Sequence, residues 1–264
     1  MMKLYHNAMS TCAQKVRFVL TTKGLDWEGE VLDLRRGDQQ RPDFLKINPK
    51  GLVPVLMHDG HVIVESNVIV DYLNEAFPEP PLLPETPIDR ANVRWWIKRL
   101  DDGLHLDVAA LSFGVAFRHQ LIKAKGSDEA VIKHIEAVPD PYLRDVQRQV
   151  VFEGIDSPRF ALAVQQFDKL VKGIDAELQT QAWICGDALT LADIAFAPYV
   201  TRLEHLGMQG LWEEKPSFRD WYQRLKATEG YRVGLADWFN PDFLVLMSEN
   251  GQQAWPRVAQ MLKA

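Results

Sequence analysis

The sequence predicts an α/β domain over residues 1–80 and an all-helical domain over residues 89–264, joined by a proline-rich linker over 81–88. Three observations predict this division. Short apolar runs alternate with helical patterns as far as residue 77, five prolines lie between residues 78 and 87, and no convincing strand pattern follows them. Proline lacks the N–H and the free φ that a helix interior needs, so this stretch is expected to be a linker.

The first domain has the element order strand, helix, strand, then a short helix, then two strands and a helix. If the two halves of this order share one sheet, they make a four-stranded mixed sheet with helices on its faces. Gly24 is expected to end the first long helix, and Asp59-Gly60 is a strong hairpin-turn signal. The predicted strands cover 3–6, 27–34, 53–58 and 61–64, and the predicted helices cover 11–23, 42–47 and 65–77.

The second domain shows apolar residues at helical spacing, which predicts a helical bundle. Between its first two helical stretches lies a polar segment, 126–158, with three prolines; we expect a partly helical excursion there and consider it a candidate lid. The predicted helical stretches cover 90–117, 160–178, 190–206 and 217–225.

Composition excludes several classes of protein. The 264 residues are 47% hydrophobic and 25% charged, as in a globular protein with a core, and the net charge of −6 argues against a nucleic-acid binder. The start of the chain lacks a signal-peptide pattern, and no apolar run could span a membrane. The two cysteines fit a reducing cytoplasm, and the histidines lack metal-ligand spacing. We therefore expect a cytoplasmic protein without a metal.

Three motifs occur in a fixed order around the linker. The first is Ser-Thr-Cys-Ala-Gln-Lys-Val-Arg at 10–17, similar to the Ser-Ser-Cys-x-x-Arg-Val-Arg run of zeta-class enzymes. The second is Asn-Pro-Lys-Gly-Leu-Val-Pro-Val-Leu at 48–56, followed by Glu65-Ser66. The third is Gly-Asp-Ala-Leu-Thr-Leu-Ala-Asp-Ile at 186–194. By these motifs the chain resembles the cytosolic glutathione transferase superfamily along nearly all of its length.

The resemblance implies a thioredoxin-like first domain that binds glutathione as co-substrate, a helical domain that holds an apolar electrophile, and a homodimer. It also implies roles in detoxification or in the degradation of aromatic compounds.

The first motif lies where a strand turns into a helix, and there unpaired N–H groups and the helix dipole favour an anion. A thiol attacks as the thiolate, so a donated hydroxyl would help to ionise glutathione. The resemblance makes Ser10 the first candidate, with Thr11 and Cys12 behind it. Helix capping is the alternative role for Ser10 and Thr11. Cys12 could instead form mixed disulfides, as in a thiol-disulfide reductase, or be an inert small residue.

In the second motif, the resemblance implies a cis peptide bond at Val53-Pro54, which would present the Val53 main chain to the cysteinyl part of glutathione. Glu65 would meet the ammonium and Ser66 the carboxylate of the γ-glutamyl end. Leu52 departs from the family, which often has Lys or Gln there to reach the glycine carboxylate. The candidates to replace that residue are Gln39, Gln40, Arg41 and Lys50.

In the third motif, Thr190 and Asp193 form a capping box, which we assign to folding and not to chemistry.

The electrophile is expected between the Ser10 loop and the first long helix of the second domain. Candidate contacts on that helix are Trp96, Arg99, Leu100, Gly103, Asp107, Leu111 and Phe117. The stretches at 58–60, 65–67 and 95–102 also resemble bacterial β-etherases, which use glutathione to cleave aryl ethers. However, the thiol loop at 10–12 is similar to the zeta class instead.

Several functions therefore stay open. The first is a transferase acting on an aromatic electrophile, with β-aryl ether cleavage as its narrower form. The others are a zeta-like isomerase, a non-catalytic protein that binds apolar ligands, and a thiol-disulfide reductase that uses Cys12.

Overall fold

A computed structural model describes residues 1–138 and 140–263, so Pro139 of the excursion and Ala264 lie outside the described residues. Contacts divide the chain into two compact units. The first unit comprises Met1–Ile97, Thr180–Tyr199 and Asp220–Asn240. The second unit comprises Lys98–Gln179, Val200–Arg219 and Pro241–Ala264. Residues 89–97 and two later stretches of the predicted helical domain thus belong to the first unit.

The first unit is built on a four-stranded sheet with the order β2-β1-β3-β4. Strand β1 (Met2–His6) pairs in parallel with β2 (Glu28–Val31) and antiparallel with β3 (Val55–His58), which pairs antiparallel with β4 (His61–Val64). The predicted mixed sheet is confirmed. Strand β2 is shorter than the predicted 27–34.

The helices of the first domain lie close to their predicted ranges. Helix α1 covers Thr11–Thr22, α2 covers Pro42–Ile47 and α3 covers Ser66–Ala76. The Ser10 side chain caps α1, and Gly24 follows the end of α1 with φ of 60°. Helices α1 and α3 pack together, while Tyr5, Leu32, Phe44 and Val55 form a separate core cluster. Residues 78–86 contain no helix or strand, as their prolines predict.

Helix α12 (Glu229–Gly234) packs along α1 in the first unit, a contact that the sequence did not predict. Two glycines of α12, Gly230 and Gly234, allow α12 to lie this close to α1. A Cβ on Gly230 would lie 2.3 Å from the Phe18 ring, and one on Gly234 would lie 2.8 Å from the Phe18 main chain. The N-terminal domain is therefore completed by residues from near the end of the chain.

The remaining elements are helical, and the described residues beyond 87 contain only one isolated β-bridge, between Trp183 and Gly186. Two long helices lie wholly in the second unit, α9 (Pro158–Glu177) and α13 (Pro241–Met261). The others are α4 (Pro87–Arg99), α5 (His105–Ser112), α6 (Arg118–Lys125), α7 (Asp128–Glu136), α8 (Pro141–Phe152), α10 (Leu191–His205) and α11 (Pro216–Lys226).

The helical region 87–125 differs from the single helical stretch that the sequence predicts over 90–117. Two π-helical turns interrupt it, Leu100–Leu104 and Phe113–Phe117. Gly103, in the first of them, has φ of 152°, a conformation that favours glycine. Such wide turns inside α-helices occur frequently at functional sites.

The polar excursion contains two helices, α7 and α8. Ser127 caps α7 and Asp140 caps α8, each accepting from an N–H three residues later. Val131, Ile135 and Val151 form their shared core cluster. Helix α13 was not predicted at all, because Gly251 and Pro256 interrupt its pattern.

None of the helices in the described part of the chain combines the length and the apolar character needed to cross a membrane.

Candidate active site

The first functional segment is the loop from Asn7 to Ser10, between β1 and α1. Ser10 has extended backbone angles and caps α1, its Oγ accepting from the Ala13 N–H at 3.3 Å. The capping role that the sequence offered as an alternative is therefore present. The Ser10 hydroxyl proton is not used in that bond, so the side chain can cap the helix and donate to a ligand at once.

The next two residues of the motif differ in exposure. Thr11 is buried, with 6% of its surface exposed, whereas Cys12 is half-buried. The Cys12 sulfur lies 3.8 Å from the hydroxyl oxygen of Tyr199, a buried residue on α10. Of the three candidates, Ser10 and Cys12 therefore expose more of their side chains than Thr11.

Lys15 joins the first motif to the second. Its ammonium, buried beneath α1, lies 3.2 Å from Ser66 Oγ and also donates to Asn67 Oδ1. The same ammonium lies 5.7 Å from the Tyr199 ring centroid. Sequence reasoning did not select Lys15. The available signal was its place in the motif, where the zeta-class run has arginine.

The Val53-Pro54 bond is cis, as expected from the second motif. Asn48 holds the loop before it, because its Nδ2 donates to the Leu52 carbonyl at 2.9 Å and its Oδ1 accepts from the Lys50 N–H at 3.2 Å. Among the described residues, no hydrogen bond joins the Val53 main chain to another group. The Val53 N–H and C=O are thus free to pair with an extended peptide.

Glu65 stands at the junction of β4 and α3 in a strained conformation. Its φ is 67°, a region that a residue with a Cβ rarely adopts, and such strain concentrates at functional sites. Its carboxylate is 2.7 Å from the Lys50 ammonium, and both side chains are exposed. Ser66 begins α3 and is buried, in contact with Lys15.

The other candidates for the Leu52 position have different partners. Gln39 donates to the Leu34 carbonyl at 3.3 Å, and its Oε1 is buried without a partner among the described residues. Arg41 pairs with Asp43 at 3.2 Å. Gln40 is exposed in the short helical turn 38–40. Leu52 itself is 52% exposed.

The electrophile candidates are divided between the units. Trp96, in the first unit, is buried and meets Phe196 edge to face, with centroids 6.0 Å apart. In the second unit, Leu100 and Leu111 are buried, and Arg99 is partly exposed with its pKa lowered by burial. Gly103 forms the kink already described, and Phe117 meets Phe243 with centroids 6.0 Å apart.

Asp107 is buried and paired with Arg159 at 2.6 Å. Burial raises the pKa of Asp107, and the Arg159 charge opposes that rise. This carboxylate therefore already has a protein partner.

The residues described show no group of three His, Cys, Asp or Glu side chains placed to hold a metal ion.

Comparison with known proteins identifies the family. Residues 4–81 match the family model "Glutathione S-transferase, N-terminal domain", and residues 141–224 match "Glutathione S-transferase, C-terminal domain". Glutathione S-transferase hmp2 of Hypomyces subiculosus is 30% identical over 236 residues, which are 89% of this chain and 98% of that protein. The chain belongs to the glutathione S-transferase family. It is a glutathione transferase of thioredoxin-like fold, as its three motifs predicted.

Two further relatives of this transferase bear on its chemistry. Protein LigF of Sphingobium sp. is 31% identical over 235 residues, 86% of this chain and 90% of that protein. The crystal structure of beta-etherase LigF superposes with a TM-score of 0.79, covering 88% of this chain and 98% of that one at 28% identity. A zeta-class glutathione S-transferase of Euphorbia esula is 47% identical over 83 residues, only 31% of this chain and 37% of that protein.

Proposed function

We propose that this transferase ionises the thiol of glutathione beside Ser10 and directs the thiolate at an apolar, aromatic electrophile. The observation that carries the proposal is the contact of Lys15 with Ser66, at 3.2 Å. It connects the helix that begins at the proposed thiol site with the helix that begins at the proposed γ-glutamyl site. We infer that a single tripeptide reaches both.

Each part of the tripeptide has a proposed partner. Ser10 donates its hydroxyl proton to the sulfur, and the N–H groups of the first turn of α1 add to the attraction for an anion. The Val53 main chain pairs with the cysteinyl residue, Glu65 binds the ammonium, and Ser66 binds the γ-glutamyl carboxylate. Lys50 and Gln39 are the proposed partners of the glycine carboxylate.

Binding then exchanges one ion pair for others. Lys50 and Glu65 are paired with each other at 2.7 Å. In the proposed complex Glu65 turns to the ligand ammonium and Lys50 to the ligand carboxylate. Because an exposed pair contributes about 0–1 kcal/mol, breaking it costs little.

For the second substrate we propose a contact set on the helical stretch 87–117. It comprises the partly exposed Arg99 and Gly103 as direct contacts, and the buried Trp96, Leu100, Asp107 and Leu111, which shape the site from behind them.

The narrower reaction is cleavage of a β-aryl ether. The thiolate attacks the carbon that bears the aryloxide, the C–S bond forms as the C–O bond breaks, and the aryloxide leaves and takes up a proton. Support for this form comes from the similarity to LigF along most of both chains.

The test measures turnover of glutathione with a haloarene, 1-chloro-2,4-dinitrobenzene, and with a β-aryl ether ketone, after binding of glutathione is shown by calorimetry. Turnover of both substrates is expected. Turnover of the haloarene without cleavage of the ether would refute β-etherase activity and would still support the general transferase reaction. Failure to bind glutathione at millimolar concentration would contradict the whole proposal.

A zeta-like isomerase is the second candidate, favoured by the 47% identity over 83 residues to the Euphorbia esula protein. Such an enzyme adds glutathione to an unsaturated diacid and eliminates it again. Isomerisation of a cis-unsaturated diacid that requires catalytic glutathione, with no turnover of haloarenes, would favour it.

Two other functions from the sequence remain testable beside these. A ligand-binding protein would bind glutathione and apolar ligands with no turnover across the panel. A thiol-disulfide reductase would lose its activity in Cys12→Ser, whereas a transferase based on Ser10 would keep it. We also propose a cytoplasmic homodimer.

A further inference from the structure

Beneath the Asn7–Ser10 loop lies a charged side chain that the proposed mechanism has not used. Arg17 lies on α1 and is fully buried. Side chains on a helix point back towards its N-terminus, so the Arg17 guanidinium reaches under the loop that leads into Ser10. It donates to the carbonyls of Asn7 at 3.2 Å and Ala8 at 3.0 Å.

The other contacts of Arg17 fix its position. Nε donates to the Gly234 carbonyl at 2.9 Å, and Nη1 donates to His6 Nδ1 at 3.1 Å. The guanidinium also lies 4.9 Å from the Trp238 ring centroid. His6 is neutral, because burial and the Arg17 charge lower its pKa to about 4. The Arg17 guanidinium is therefore held by β1, by the Asn7–Ser10 loop, by the last residue of α12 and by the segment that follows α12.

No carboxylate is among these partners. In the described part of the chain, Arg17 contacts three carbonyls, one neutral imidazole and one indole ring. Burial lowers the pKa of Arg17 to about 9, which leaves it charged at neutral pH. A buried cation is ordinarily paired, so this one is an unbalanced positive charge in a site of low dielectric.

The Asn7–Ser10 loop carries the effect of that charge to its other side. In the trans, planar peptide groups 7–8 and 8–9, the C=O and the N–H point in opposite directions. Because the Asn7 and Ala8 carbonyls face Arg17, the N–H groups of Ala8 and Met9 point away from it. Met9 N–H donates to Asn7 Oδ1 at 3.0 Å, while the N–H of Ala8 donates to no described residue. A hydrogen bond to a charged donor polarises the peptide and strengthens its own N–H as a donor.

We propose that Arg17 is a positioning residue for the thiol: its unbalanced charge holds and polarises the Asn7–Ser10 loop so that this loop stabilises the thiolate of bound glutathione. The inference rests on the proposed function, and it predicts an electrostatic effect in addition to any effect on stability.

Titration of bound glutathione, followed by ultraviolet absorbance of the thiolate, tests the proposal. Arg17→Gln keeps two donors and removes the charge. We expect this variant to raise the thiol pKa of bound glutathione by about one unit, a tenfold loss of thiolate below that pKa. Turnover should fall about tenfold near neutral pH and recover in alkaline solution, and the Kd of S-methylglutathione should stay within about threefold.

Lys23→Met is the matched control. Lys23 directly follows α1 and is, like Lys15 and Arg17, a buried cation; it also donates to carbonyls, those of Phe77 at 2.6 Å and Pro80 at 2.9 Å. It lies at the other end of the helix. The control should lower stability and leave thiol ionisation unchanged.

Several outcomes overturn the inference. An unchanged thiol pKa in Arg17→Gln, or an equal shift in Lys23→Met, would make Arg17 a purely structural residue. If Arg17→Gln does not fold, Arg17→Lys is the test. This variant keeps the positive charge, so the fraction of bound glutathione that is ionised should stay within about threefold of wild type. A tenfold loss of thiolate in Arg17→Lys would refute the proposal. Wild-type protein that binds no glutathione would instead reject the proposed function, and the inference with it.

Discussion

Single residues show how two roles can share one side chain. Ser10 caps α1 through an acceptor lone pair and is proposed to use its proton on the thiol. The two roles can be separated, since removing the cap affects stability and removing the donor affects the reaction.

Ser10→Ala should lower the free energy of unfolding by about 1 kcal/mol through the lost cap. It should also lower kcat/KM with 1-chloro-2,4-dinitrobenzene by about a hundredfold through the lost donor to the thiolate. Chemical denaturation and steady-state kinetics measure the two effects. Cys12→Ser is the neighbouring control and should keep most activity; a loss there, with Ser10→Ala active, would move the chemistry to Cys12.

His6 gives a prediction about pH. Burial and the Arg17 charge lower its pKa from the ordinary 6.5 to about 4. Between pH 4 and pH 6.5, His6 binds a proton in the unfolded chain but not in the folded protein. The contribution of neutral His6 to the free energy of unfolding is therefore fully present above pH 6.5 and is lost as the pH falls towards 4. The loss from this one residue is about 3 kcal/mol.

The measurement is the free energy of unfolding against pH for wild type and His6→Gln, which does not titrate. The difference between the two curves should shrink by about 3 kcal/mol from pH 7 to pH 4. Parallel curves would mean that His6 keeps an ordinary pKa in the folded protein.

At the scale of helices and strands, the sequence predicted what local pattern and turn chemistry determine. The hairpin at Asp59-Gly60, the start of α1 at Ser10 and the helix α2 all lie at their predicted places. Predictions failed where distant packing decides. The two π-helical turns at 100–104 and 113–117 leave a helical sequence pattern intact, and α12 depends on glycines that allow contact with Phe18.

For the candidate site, too, the predictions succeeded where a local motif decides and failed where distant packing decides. Ser10, Val53-Pro54 and Glu65-Ser66 were found because each belongs to a contiguous motif. Lys15 was missed because its importance comes from Ser66, 51 residues away in the chain. Arg17 was quoted only as a motif letter, since its partners at 234 and 238 come from the far end of the chain.

The capping box at the start of α10 supplies an element-scale prediction. Asp193 is fully buried and accepts 2.9 Å hydrogen bonds from the main chain of Ile184 and Thr190 and from the Trp221 indole. Asp193→Ala leaves these donors unpaired and should cost about 3–5 kcal/mol by chemical denaturation. Asp102→Ala, which breaks an exposed pair with Lys98, should cost less than about 0.5 kcal/mol. Similar losses in both variants would contradict this account.

At the scale of the molecule, the first unit exposes apolar side chains on neighbouring elements. Val62 on β4, Val68 on α3, and Ile88 and Trp95 on α4 are between 44% and 76% exposed. The Arg94–Asp71 pair joins α3 to α4 beside them. An exposed apolar surface of this kind is typical of a subunit interface.

We therefore expect a homodimer that Val68→Glu together with Trp95→Glu converts to folded monomers. Light scattering coupled to size exclusion gives the mass, and circular dichroism checks the fold. Val245→Glu, on an exposed position of α13, is the control and should leave the dimer intact. A wild-type mass of about 30 kDa, that of one subunit, would refute the prediction.

The joint packing of α1 and α12 gives a last prediction. A Cβ on Gly234 would lie 2.8 Å from the Phe18 main chain, which has no rotamer to yield. Gly234→Ala should speed hydrogen exchange in α1 and α12 together, while amides of α9 in the second unit keep their protection. Faster exchange in α12 alone would show that the two helices open independently.

Because α12 completes the first unit, the order in which the residues are synthesised determines when the proposed thiol site is complete. The ribosome delivers Ser10, Val53 and Glu65 long before the Gly234 carbonyl, 217 residues after Arg17, that anchors the Arg17 side chain. The nascent N-terminal domain therefore carries an incomplete form of the proposed glutathione site. If Arg17 acts as proposed, the thiol chemistry can begin only after Gly234 has been synthesised and has packed against α1.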